Sequence, residues 1–128
     1  MKISTSIIVM VISIGFFFIQ SSPVDQDGQK SGLVYPADVK KVIDAKCYGC
    51  HSVKGKSQDA KDALIWDSLP NLQKGKIVAT LDDMIKVLKE NKMPPEEAIK
   101  KYPEMKMLPG EVKTLLTWAE ATADSMLK

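Results

Sequence analysis

Arginine is absent from this 128-residue chain, and all 18 basic residues are lysines. Histidine occurs once and cysteine twice. Each shortage excludes something. A formal net charge of +2, with 16 acidic residues among the lysines, leaves no basic stripe of the kind nucleic-acid binding needs. One histidine and two cysteines make three nitrogen or sulfur ligands, one short of a structural zinc site unless carboxylates join. No cysteine lies near the end of the N-terminal apolar run, which excludes a lipoprotein. There is no internal repeat and no convincing strand pattern.

The scarce residues fall together in Cys47-Tyr48-Gly49-Cys50-His51. C-x-x-C-H is the signature of covalent haem attachment. Two thiols three positions apart can each add to one vinyl group of a single haem, and the adjoining imidazole then lies beneath the iron. Three competing readings explain less. A zinc site lacks its fourth ligand. A thioredoxin-like dithiol expects a βαβ setting. A Cys47–Cys50 disulfide closes a tiny loop and leaves His51 without a role.

Residues 1–22 open with Met1-Lys2 and continue as an apolar run, Ile7 to Ile19, followed by Gln20-Ser21-Ser22. This resembles a signal peptide. The stretch from Ile3 to Ile19 also reaches the lower length limit for spanning a bilayer, so an uncleaved anchor through residues 3–19 fits as well. Covalent haem attachment takes place outside the bacterial cytoplasmic membrane, so export and the motif support each other. Residues 23–33 are polar and read as a flexible tether. Residues 34–128 then form one small domain with a thin core, to which a haem would add a large apolar surface. Without Lys2 the exported part carries 17 lysines against 16 acidic residues.

Within that domain the periodicity predicts helices. Pro36 is placed in the first turn of one that carries Val39, Val42 and Ile43 and runs into Cys47. A helical patch is expected over 59–69. Thr80 and Asp83 resemble a capping box for a helix with Leu81, Ile85 and Leu88, ended by Asn91. Residues 96–101 make a short helical turn. A last helix starts at Pro109 with Glu111 in its first turn and repeats Val112, Leu115, Leu116, Ala119 and Ala123. This is an all-α reading, about four helices with long loops.

The thioethers of Met84, Met93, Met105, Met107 and Met126 are the candidates for a second axial ligand to the iron, because His51 has no companion histidine. Met93 is the leading candidate: it follows a helix and precedes Pro94, which biases it towards an extended conformation. Met107 is the alternative, and an open sixth position is the third possibility. Met84 and Met126 lie beside apolar stripes, where Met fills core gaps.

The early helix ending in C-x-x-C-H, Met93-Pro94-Pro95 and a final helix with Leu115-Leu116-Thr117-Trp118 resemble the small class I c-type cytochromes. More narrowly, the chain is similar to exported single-haem "haem-binding domain" proteins, over roughly residues 34–127. The resemblance implies a cytochrome c-like fold wrapped around one covalent haem c, with first and last helices crossing beside it. It also implies a proline carbonyl accepting from the proximal imidazole, for which Pro70 is the match, and Trp66 is a candidate donor to a haem propionate. Two features depart from the pattern: a long stretch after His51, and 15 residues between Met93 and the last helix that include Met105 and Met107.

The function expected is electron transfer rather than catalysis: a periplasmic carrier, soluble or anchored, working with a redox partner protein. One alternative is an open-site haem protein, peroxidase-like or gas-sensing, although the histidine and arginine that usually assist at a distal site are missing. The other is a haem subunit of a larger membrane oxidoreductase.

Overall fold

The computed structural model describes residues 32–128; the export or anchor segment (1–22) and most of the tether lie outside the described residues. Among the described residues there are five α-helices and no strand. They are α1 (Ala37–Lys46), α2 (Gln58–Ala63), α3 (Lys74–Lys89), α4 (Glu96–Lys101) and α5 (Pro109–Leu127), with 3-10 turns at Leu69–Asn71 and Pro103–Met105. The all-α reading holds. Leu33, assigned to the tether by composition, is buried in the core, so the domain begins slightly earlier than expected.

In α1, Val39, Val42 and Ile43 recur at helical spacing and are buried. Pro36 is the N-cap, with ψ 154°, and not a first-turn residue. Asp38 at the start and Lys46 at the end both complement the helix dipole. The helix stops where Cys47 and Tyr48 both donate to the Ile43 carbonyl at 2.9 Å.

The patch expected over 59–69 is broken. Ser57 caps α2 by accepting the Ala60 N–H at 3.2 Å, and the helix ends at Ala63 because Leu64 is extended (φ −161°, ψ 131°). A second correction concerns α3, which begins at Lys74 and not at Thr80. The Thr80 hydroxyl donates to the Lys76 carbonyl at 2.8 Å, one turn back inside the helix, so it caps nothing. α3 ends at Lys89 with Glu90 as C-cap, and Asn91 stops it as expected. That residue takes φ 52°, and the bonds Asn91 N–H to Leu88 O (3.1 Å) and Lys92 N–H to Val87 O (2.8 Å) complete a Schellman cap. Asparagine tolerates this left-handed position better than other side-chain-bearing residues.

α5 starts at Pro109, where the Glu111 carboxylate accepts the Leu108 N–H at 2.7 Å. Its buried face carries Leu115, Trp118, Ala119 and Ala123. α3 lies along α5, and α1 also packs on α5. Their shared core joins Val39, Ile43, Ile77, Leu81 and Leu115. Three aromatic rings close one side of it. Tyr35 stands 5.8 Å from Trp66 and 5.5 Å from Trp118, centroid to centroid, and its hydroxyl donates to the Trp66 carbonyl at 3.0 Å. Burial, with the Asp67 charge adding to it, pushes the Tyr35 phenol well above its ordinary pKa. Among the described residues no helix is long and apolar enough to cross a membrane.

Candidate haem site

The end of α1 delivers the motif. Cys47 is its C-cap, and the chain makes one more turn: Cys50 and His51 donate to the Cys47 carbonyl at 3.1 and 2.9 Å. Both thiols and the imidazole therefore hang from one tight turn. The cysteines are not bonded to each other. Burial first, then Glu111 and Cys50, push the Cys47 thiol up to about 12. Among the described residues no group of three or more His, Cys, Asp or Glu side chains is placed to hold a metal ion.

His51 is gripped from the segment after α2. Its Nδ1 lies 3.1 Å from the Leu64 carbonyl oxygen, and its own carbonyl accepts the Trp66 N–H at 3.0 Å. A carbonyl oxygen only accepts, so the ring proton sits on Nδ1 and the Nε2 lone pair is left for a metal. The expectation that Pro70 would supply this carbonyl is corrected: Leu64 does. The extended conformation that ends α2 turns the Leu64 carbonyl to His51, whereas Pro70 sits in the 3-10 turn Leu69–Asn71.

Trp66 is buried, 3% exposed, and its indole Nε1–H has no hydrogen-bond partner among the described residues. A buried orphan donor costs about 1–3 kcal/mol. A propionate is the acceptor that would relieve it, so the residues present fit a haem. The two thiols and the free Nε2 of the proximal imidazole fit it as well.

Of the thioethers, Met84 is buried on α3, and Met126 packs half-buried against the core. Met93 and Met107 are both half-buried at the core edge. The long stretch after Met93 is filled by α4 and the 3-10 turn Pro103–Met105. Lys46 pins it, donating to the Glu104 and Lys106 carbonyls at 2.6 and 3.1 Å with the Glu111 carboxylate 3.8 Å away. The loop carrying Met107 is thus tied to the cysteine end of α1.

Four residues in or near the motif gave no signal in the sequence. Tyr48 donates its hydroxyl to one oxygen of Asp67, and the Val53 N–H donates to the other at 3.0 Å. The Tyr48 bond and then the Val53 bond hold the Asp67 carboxyl below its usual range. Gly55 lies so close beneath the motif that a Cβ there would stand 2.1 Å from the Cys50 carbonyl oxygen. A groove of about 630 Å³ between residues 32–36 and the end of α5 contains none of the motif residues.

Fold and site together define a small all-α protein built to carry covalent haem. The family model for Cytochrome c matches residues 36–123, and the chain belongs to the cytochrome c family. No curated protein and no solved structure matches it. Family and motif together mean one covalently attached haem c and, in general terms, a haem-binding electron carrier.

Proposed function

We propose that the protein is an exported monohaem electron carrier whose iron is ligated by His51 and Met93. Bound haem supplies a one-electron couple, and the protein's own residues tune and protect it. The observation that carries this reading is the grip on His51. The Leu64 carbonyl fixes the ring orientation and raises the basicity of Nε2, as such partners do for metal-bound histidines. A rigid proximal ligand suits a site that changes oxidation state with little rearrangement.

Met93 is the favoured distal ligand because it leaves the Schellman cap of α3 on a short proline-bounded segment, half-buried at the core edge. Met107 belongs to the loop that Lys46 ties to the attachment edge. Trp66 donates to a propionate, and thioether bonds form at Cys47 and Cys50. Residues 1–22 direct export or anchor the chain, and the redox partner docks where the haem edge meets solvent. With one histidine and no arginine, the chain offers no imidazole or guanidinium to assist chemistry on bound peroxide.

The test is the optical spectrum of the ferric protein. A weak far-red charge-transfer band from the thioether is expected; Met93→Ala removes it and Met107→Ala leaves it. Loss of the band only in Met107→Ala reverses the assignment. A high-spin wild type whose reduced form binds CO would refute the six-coordinate carrier.

A further inference from the structure

The segment from Leu64 to Asp67 touches the haem-attachment turn at four points, and only two of them reach His51. The other two belong to Asp67. One carboxylate oxygen accepts the Tyr48 hydroxyl and the other accepts the Val53 N–H at 3.0 Å. Tyr48 precedes the second cysteine and Val53 follows the histidine, so a single side chain spans the turn that holds Cys50 and His51. Tyr48 occupies a position the motif leaves variable, so the clasp is a property of this chain and not of C-x-x-C-H.

We propose that Asp67 is a positioning residue that sets the strength of the Leu64 carbonyl to His51 Nδ1 hydrogen bond, and through it the reduction potential of the iron. The inference rests on His51 as proximal ligand and not on Met93. Asp67 directly follows Trp66, whose N–H already holds the His51 carbonyl at 3.0 Å. Residues 64–67 therefore meet the turn as one unit: Leu64 meets the ring, Trp66 the backbone, and Asp67 both flanks. With the Asp67 links cut, two contacts to one residue remain, and the turn can pivot about them. The Leu64 to Nδ1 bond then loosens, the imidazole loses basicity, and the ferric state loses stabilisation. Tyr48 and Asp67 are exposed, so this pair is a weak source of global stability, and its main effect is on position.

The holoprotein and three variants decide it, by midpoint potential and by solvent exchange of the His51 Nδ1–H followed by NMR in the ferrous state. Tyr48→Phe changes no charge, Asp67→Ala removes both links, and Asp67→Asn can keep both, accepting from Val53 and donating to the tyrosine oxygen. Tyr48→Phe and Asp67→Ala should raise the potential and speed exchange roughly three- to tenfold, the effect of losing one net hydrogen bond. Asp67→Asn should stay nearer wild type in exchange rate. Unchanged exchange in Tyr48→Phe and Asp67→Ala overturns the proposal. So does an equal rise of potential in Asp67→Ala and Asp67→Asn with Tyr48→Phe unmoved, which would make Asp67 a charge and not a clasp. If the wild type lacks the thioether band, the Met93 assignment fails while the exchange comparison still stands.

Discussion

Gly55→Ala should cripple the haem-bearing turn although it adds only one methyl group. A Cβ at this position stands 2.1 Å from the Cys50 carbonyl oxygen, 2.7 Å from its carbon and 2.9 Å from the Ser52 carbonyl oxygen. Every obstruction is backbone, so no side chain can swing aside, and relief needs a shift of roughly 1 Å to restore ordinary contact. If Gly55 retreats, its N–H bond to the Ser52 carbonyl, 2.8 Å, is lost. If Cys50 retreats, the turn that presents the second thiol and His51 is displaced. Overpacking costs about 1–3 kcal/mol and the hydrogen bond about 1, so the expected loss is about 2–4 kcal/mol. A domain of this size has about 5–15 kcal/mol in all, and each kcal/mol moves Tm by about 4–8 °C. The melting temperature of the holoprotein should therefore fall by roughly 10–30 °C, and the ratio of covalent haem to protein should drop with it. Gly49→Ala is the control. It lies inside the motif itself, yet its Cβ meets nothing within 4 Å. A Gly55→Ala protein that melts within about 4 °C of wild type, or equal damage from Gly49→Ala, would refute the reasoning.

Leu115→Ala removes a side chain only 1% exposed at the centre of the α5 face, and should lower stability by about 2–5 kcal/mol in chemical denaturation. A loss below 1 kcal/mol would mean that the core does not close around it. The Tyr48–Asp67 pair also predicts a pH dependence. Their hydrogen bond is the main reason that the Asp67 carboxyl titrates below its ordinary value and the Tyr48 phenol above its own. A depressed carboxyl stabilises the fold above its unfolded pKa and loses that as pH falls through the folded value. A raised phenol stabilises below its unfolded pKa and loses that as pH rises through the folded value. The Tm gap between wild type and Tyr48→Phe should be flat between roughly pH 4 and 10 and narrow beyond both limits. A gap that widens in acid would contradict the assignment.

What could be read without coordinates was what lies close along the chain. C-x-x-C-H is five consecutive residues, and α1 and α5 announce themselves by apolar spacing, by Pro109 and by Glu111. Asn91 was legible because a residue suited to positive φ follows a periodic run. The failures share one cause. α3 starts at Lys74 behind an N-cap, Gln73, that makes no side-chain cap, while Thr80 looks like a cap and back-bonds inside the helix. α2 stops at Leu64 because the next peptide groups are committed to His51, 13 residues earlier, and nothing local signals that. Any residue except proline has an N–H and every residue has a carbonyl. The identity of the carbonyl facing Nδ1 therefore leaves no mark on residue type, and a proline such as Pro70 is no better marked for it than Leu64. Tyr48 and Asp67 stand 19 positions apart and meet only in the fold.

The same division explains how so sparse a chain can build a redox site. Between His51 and Leu64 the sequence is charged, with Lys54, Lys56, Asp59, Lys61 and Asp62, and the segment brings a peptide group back to the imidazole. That peptide group supplies one contact and the Trp66 N–H another, so the groups that touch His51 directly are backbone groups. Covalent attachment itself needs only the two thiols, and the imidazole stands beside them within the same five residues. A catalytic haem site would need further titratable groups on the distal side. One-electron transfer, the general role the family defines, needs none.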